Sequence, residues 1–315
     1  MGQDPGSRSP KWDKEDIAMK RVLTIQDISC VGKCSASVVL PVLSALGVEA
    51  ALLPTALLST HTMFSKPAVR SLEDMTGPIT EHWLAEGIGF DAIYSGYLAS
   101  EKQVRMVEDL FGRFGGSENT LRFVDPAMAD HGKLYSGFTA DFPEVMKRLC
   151  ARADYIVPNL TEAYLLTGRE YCSEPDTDQL HALLEELAAI GTGKAVIITG
   201  AVSNDKAARH AADSAETGMR NSGAGITGAS GLDIRTGEFF EIRQRKLDAA
   251  FPGTGDLFAA VTVGALTRGI PLKDSLQLAA DFVYAAIKET LENDPDKDRR
   301  FGVDFEPVLS LLTAV

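Results

Sequence analysis

Two glycines and an acid stand together at residues 253–256, within the run FPGTGDLFAA. Gly253 and Gly255 leave backbone free of side chains, so its N–H groups can close on a ligand. An apolar stretch of helical character begins directly behind them. Amides at the start of a helix converge on an anion, and the positive end of the helix dipole favours it. Thr254 is placed to cap that helix. Asp256 falls in the first turn, where a carboxylate is stabilising in any helix. Beside an anion cradle, a carboxylate can also take the proton from an attacking hydroxyl, as phosphoryl transfer requires. Taken alone, the tetrapeptide describes an ordinary capped helix as well.

Two further segments carry acids. In VDPAMADHGKLY, residues 124–135, Asp125 ends a β-rich run and precedes the turn-forming Pro126. A carboxylate aimed at phosphates is tolerable when a cation lies between them, which is the chemistry of Mg²⁺ held largely through water. Asp130 is a second candidate ligand, and an Asx-turn after a strand accounts for Asp125 equally. In VPNLTE, residues 157–162, Asn159 and Glu162 have the spacing of a capping box at a helix start.

Such groups need a scaffold that brings distant stretches together. Apolar runs at residues 21–25, 49–54, 91–94, 121–124, 155–157 and 195–199 read as short buried strands. Helical spacing occupies residues 35–46, interrupted by Pro41, then 101–114, 178–190, 254–268 and 272–291. Short buried strands separated by helices imply an α/β fold, an open and mainly parallel β-sheet with helices on both faces. Neither a repeat nor a linker divides the chain, so a single domain is expected. Residues 226–233 and 238–242 alternate around Arg235-Thr236-Gly237 as a hairpin, and the polar residues 202–225 read as a surface excursion. Ligands of such sheets gather beyond the C-terminal strand ends. Gln26-Asp27, Thr55, Ser95-Gly96-Tyr97, Asp125, Asn159 and Thr199 all end these runs and should open onto one edge.

The succession of DP, PNLTE and GTGD resembles the ribokinase-like superfamily, from residue 21 to the C-terminus. Ile25-Gln26-Asp27, LSTHT at residues 58–62 and SGYL at residues 95–98 are similar to the IQS, FSNHT and SGYLGS segments of its pyridoxal (vitamin B6) kinase family. The resemblance implies ATP-dependent phosphorylation of the 5′-hydroxymethyl group of pyridoxal, pyridoxamine or pyridoxine. It makes Asp256 the base, with the Gly253, Thr254 and Gly255 backbone around the transferred group. It assigns Asp125, Asn159, Glu162 and Thr199 to ATP, and Asp125, Asp130 and Glu162 to Mg²⁺, and leaves room for a monovalent cation such as K⁺. Asp27, His61, Thr62 and Tyr97 would hold the vitamer ring, with residues 62–70 as a lid by analogy. A strand terminus also explains Thr199, and a structural hydrogen bond also explains His61. Related kinases pair as homodimers, so a homodimer is expected.

Two positions depart from the family pattern. Ala129 stands where Gly is usual, and Asp27 where Ser is common. A carboxylate against the ring prefers a protonated nitrogen or an amine, which points to pyridoxamine or a related ring. Hydroxymethylpyrimidine kinase, a sugar kinase, and a binding protein that kept the fold without turnover are the competing readings. The intact Asp256, Asp125 and Glu162 count against the last, because a binder needs no base.

The chain of 315 residues is 45% hydrophobic and carries a formal net charge of -13. Such a surface repels nucleic-acid phosphates and anionic membranes, and no apolar run reaches the roughly 18–20 residues that span a bilayer. The expected partner is therefore a small molecule. Cys30, Cys34, Cys150 and Cys172 form no CxxC or zinc pattern and read as reduced thiols of a cytoplasmic protein, with Cys30 or Cys34 open to a place near the ligand. Residues 1–20 are polar, lack the apolar core of a secretory signal, and read as a disordered leader or cloning remnant before a kinase domain over residues 21–315. Lys33 lacks the GxxxxGKS/T framework of a phosphate loop, and DPDKDRR at residues 294–300 reads as a solvated charged stretch.

Overall fold

A computed structural model describes residues 19–116, 119–203 and 225–314. Residues 1–18 and 204–224, where the leader and most of the polar excursion are expected, lie outside them. In chain order the described strands are β1 (Arg21–Ser29), β2 (Glu49–Leu58), β3 (Val69–Ser71), β4 (Ala92–Ser95), β5 (Leu121–Val124), β6 (Ala129–Asp130), β7 (Lys133–Leu134), β8 (Tyr155–Ile156), β9 (Ala195–Thr199), β10 (Ile226–Asp233) and β11 (Glu238–Arg245). The described helices are α1 (Ala36–Ala45), α2 (Glu73–Ala85), α3 (Glu101–Arg113), α4 (Phe142–Cys150), α5 (Leu160–Thr167), α6 (Thr177–Ala189), α7 (Thr254–Thr267), α8 (Leu272–Asn293) and α9 (Ser310–Thr313).

The main sheet has the order β11-β10-β9-β8-β5-β4-β1-β2-β3. Its centre, from β2 to β9, is parallel; β3 at one edge and β10–β11 at the other are antiparallel. Successive side chains of a strand point to opposite faces. Val22, Tyr94, Phe123 and Ile197 accordingly pack under α1, α7 and α8, while Leu23, Ile93, Val124 and Val196 pack against α3–α6. Strands covered on both faces read as unbroken apolar runs, which is why they were legible.

Several expectations need correction. α1 runs through Pro41 without a break. An interior proline costs about 3 kcal/mol, and burial of Val38, Val39, Val42 and Leu43 offsets it. β1 extends to Ser29 through a register shift between Gln26 and Ile28, and Pro54 of β2 pairs at that shift. A proline has no N–H for the ladder, so a strand passes through it where the ladder is already irregular. Residues 62–70, read as a lid, end by returning along β2 as β3. Among the described residues no helix is long and apolar enough to cross a membrane.

Candidate active site

The C-terminal ends of β5, β8 and β9 and the start of α7 enclose a hollow of about 150 Å³. Asp125, Asn159, Glu162, Thr199, Gly253, Gly255 and Asp256 are in its wall. A larger cavity of about 420 Å³ adjoins it, sharing Tyr135, Asn159, Thr199, Gly253, Gly255 and Phe258, and opens toward Phe251, Val283 and Ile287. The acids of the three separate segments therefore meet on one edge.

The hollow is set by α7, buried on every side through residues 257–265, so its first turn is fixed by the core. The residue that caps it is Gly253 rather than Thr254. Gly253 has φ +80°, and a Cβ there would stand 2.0 Å from the Lys33 carbonyl oxygen. Thr254 is the first helical residue, and its hydroxyl donates to the Phe251 carbonyl at 3.1 Å. A Cβ on Gly255 would meet nothing within 4 Å, so this backbone faces open space. Asp256 is half-buried, and its Oδ2 accepts the Ser35 amide at 2.9 Å.

Glu162 and Asn159 form the expected capping box of α5, and they do more. Glu162 Oε1 accepts the amides of Met128 (2.9 Å) and Ala129 (3.3 Å), while Oε2 accepts that of Asn159 at 2.9 Å. Asn159 Nδ2 donates to the Ala129 carbonyl at 2.8 Å. The pair thus clamps the turn behind Asp125, whose own amide donates to the Ser95 carbonyl. Ala129 lies in β6, in extended backbone that accepts a side chain, so its departure from glycine leaves the turn intact. Asp130 is exposed, hydrogen-bonded to the His131 amide, and reaches only the rim of the larger cavity. Thr199 bridges to Asn159 and lines both cavities.

On the other side, Asp27 is 7% exposed, and its two oxygens accept from the hydroxyls of Ser35 (2.6 Å) and Ser29 (3.3 Å). Tyr97 packs on Phe138; burial and the nearby Asp27 charge both raise the pKa of its phenol. His61 is committed to the fold. Its Nε2–H donates to the Arg300 carbonyl at 2.6 Å, and its Nδ1 accepts the Met63 amide at 3.3 Å. Both ring nitrogens are occupied, leaving none for an aldehyde or amine. Thr62 lies in the exposed turn that follows.

The charged stretch at residues 294–300 is likewise more than solvated surface. Arg300 stands 5.0 Å over the Phe64 ring, Lys297 pairs with Asp304, and Lys33 reaches Asp304 (2.7 Å) and Glu306 (2.6 Å). The C-terminal segment therefore holds the loops after β1 and β2. Cys34 is half-buried, and its thiol is pushed up to about 12, by burial first and the Asp256 charge second, which disfavours the reactive thiolate. No motif marks Ser35 or Ser29 in the sequence, and Tyr135, which lines both cavities, ends the VDPAMADHGKLY run with nothing local to set it apart.

Burial pushes Asp125 well above the usual carboxylate range, with the charges of Glu162 and Asp256 adding to it. Burial also lifts Glu162 to about 7 against the pull of its three amides. Asp256 rises to about 6 through burial, opposed by the Ser35 amide and reinforced by Asp27. Among the described residues no Lys or Arg pairs with Asp125, Glu162 or Asp256, so these acids crowd together without a counter-charge from them. Among the described residues no three acid, His or Cys side chains converge as an all-protein metal cage. Mg²⁺ suits such a wall, because it takes one or two carboxylates together with phosphate oxygens and water.

A stability prediction follows from these shifts. Carboxylates with raised folded pKa values bind protons on folding between the unfolded values near 4 and the folded values near 6 to 7. Stability of the ligand-free protein should fall as pH rises through that window, by a few kcal/mol at most. Thermal unfolding from about pH 5 to about pH 8 should show a falling Tm, and Mg²⁺ with nucleotide should reverse the trend. A Tm that rises with pH over the range would contradict the assignment.

A mostly parallel sheet with acids and a glycine-lined helix start at its C-terminal rim is the architecture of a ribokinase-like phosphotransferase. The chain belongs to the phosphomethylpyrimidine kinase family, whose model matches residues 40–298. It is 27% identical to the pyridoxal kinase of Sus scrofa over 284 residues, covering 86% of this chain and 81% of that protein. The pyridoxal kinase of Lactobacillus plantarum superposes with a TM-score of 0.80 at 33% identity, over 94% of this chain and 98% of the other. A Bacteroides thetaiotaomicron protein named for phosphomethylpyrimidine kinase, in a crystal form with pyridoxal, gives a TM-score of 0.82 at 31% identity, over 93% and 96% of the two chains.

Proposed function

We propose that this protein transfers the γ-phosphoryl group of ATP to the 5′-hydroxymethyl group of a B6 vitamer. The observation that carries the reading is Asp256, a half-buried carboxylate in the wall of a hollow lined by the Gly253 and Gly255 backbone. The acceptor hydroxyl lies against Asp256, which takes its proton as the oxygen attacks phosphorus. The amides at the start of α7 hold the charge on the transferred group. Asp125 and Glu162 form the negative wall that would hold Mg²⁺, which would supply charge neutralisation there. Asp27 and Tyr97 hold the ring, and the larger cavity takes the nucleotide. Pyridoxal kinases among the relatives support a pyridine acceptor. The reading extends to a cytoplasmic homodimer and admits K⁺ beside Mg²⁺.

The family's name, phosphomethylpyrimidine kinase, supports a second acceptor class, a substituted pyrimidine, of which hydroxymethylpyrimidine is the competing reading. ADP release measured with pyridoxal, pyridoxine, pyridoxamine and hydroxymethylpyrimidine separates the two. Turnover of the pyrimidine alone would overturn the vitamer reading. Within the vitamers, the Asp27 carboxylate should favour the amine. A hydrogen bond to a charged group contributes about 1.5–3 kcal/mol, so Asp27→Ser should lower the preference for pyridoxamine over pyridoxine by about tenfold or more. Equal selectivity of the two proteins would remove Asp27 from ring recognition.

A further inference from the structure

We propose, resting on the kinase reading above, that Ser35 is a positioning residue that ties the acceptor-side carboxylate Asp27 and the base Asp256 into one rigid unit. Its N–H donates to Asp256 Oδ2 at 2.9 Å and its hydroxyl donates to Asp27 Oδ1 at 2.6 Å. The two acids come from β1 and α7, far apart in sequence, and a single residue spans the gap.

Ser35 departs from two local rules in making these bonds. Its backbone has φ +49° and ψ −130°, in a strained region that residues with a Cβ rarely occupy. It is also the N-cap of α1, where a serine hydroxyl ordinarily accepts from an amide of the first turn. No such side-chain bond is made here; the hydroxyl is turned to Asp27 instead. Strain of this kind persists where surrounding contacts over-determine it, and it gathers at functional sites. Those contacts are present. The Ser35 carbonyl accepts from Val38 and Val39 at 3.0 Å, the Lys33 carbonyl is pressed against Gly253, and the Lys33 ammonium is held by Asp304 and Glu306.

The consequence concerns selectivity as well as rate. Ser35 and Ser29 both donate to Asp27, so the direction in which that carboxylate meets the acceptor is fixed relative to Asp256. Removing the Ser35 hydroxyl frees Asp27 to rotate while the backbone amide to Asp256 remains. The loss should therefore weigh more on an acceptor with an amine than on a neutral one.

The test compares wild type, Ser35→Ala, Ser35→Gly, Asp27→Ser and the Ser35→Ala/Asp27→Ser double variant with pyridoxamine and pyridoxine. Ser35→Gly tolerates the positive φ, so it reports the hydroxyl without backbone strain. We expect both Ser35 variants to lose about tenfold in kcat/KM for pyridoxamine and less for pyridoxine, with KM for ATP unchanged. We expect the double variant to be no worse than Asp27→Ser alone, since contacting residues of one network couple. Additive losses, or a Ser35→Gly protein with wild-type selectivity, overturn the proposal. A wild type that phosphorylates neither vitamer overturns the B6 reading separately, and the additivity test is then made with hydroxymethylpyrimidine.

Discussion

An Asp256→Asn protein is expected to bind ATP and acceptor with nearly unchanged affinity and to turn over about 10³-fold more slowly. The substitution keeps the shape, and the new carboxamide oxygen can still accept the Ser35 amide that now reaches Oδ2. What is lost is a group able to take a proton, and general-base catalysis contributes about 10²–10⁴-fold. The pH profile should change with it. Asp256 is lifted to about 6 by burial and acts ionised, so wild-type kcat should rise as pH rises through about 6 and level above it. The variant should lack this limb. It should also melt higher at neutral pH, because one of the charges crowded against Asp125 is gone. Steady-state kinetics with a melting curve checks all three, and near-full kcat in the variant would take the base role from Asp256.

The sequence made the rim legible and left its interior mostly silent. Asp125, Glu162 and Asp256 could be found because each ends an apolar strand or opens an apolar helix, and burial on both faces writes such elements plainly. The sequence pattern of β1 stops at Ile25 because Gln26 and Asp27 break the apolar run, although both are buried. A strand that carries site residues violates the pattern that identifies strands. α2 leaves no pattern for a related reason. Gly77 and Pro78 interrupt it, and it buries little, so neither propensity nor periodicity declares it. Asn159 and Glu162 illustrate the opposite lesson, since the capping box and the site are the same hydrogen bonds. His61 has the family's position but is claimed by the Arg300 carbonyl, a contact between residues 239 apart that no local pattern encodes. Ser35 left no trace either, because a left-handed serine looks in sequence like any other serine.

Gly253→Ala should damage fold and turnover together, lowering kcat by about 10²–10³-fold and lowering Tm as well. An alanine at φ +80° is strained by about 1–2 kcal/mol. Its Cβ would also lie 2.0 Å from the Lys33 carbonyl oxygen and 3.3 Å from the Cys34 Cα. These are backbone atoms, so relief requires moving the segment that carries the Ser35 amide to Asp256, or tilting the first turn of α7 away from it. Either motion separates the base from the amides that surround the transferred group. Gly255→Ala is the control that divides fold from cradle. A Cβ there meets nothing within 4 Å, and alanine is the better helix former by about 1 kcal/mol, so stability should hold or rise. The new methyl nonetheless enters the hollow beside Asp256, and turnover should fall. A Gly253→Ala protein with wild-type Tm and kcat would show that the close approach of Lys33 to the start of α7 is not what shapes the site.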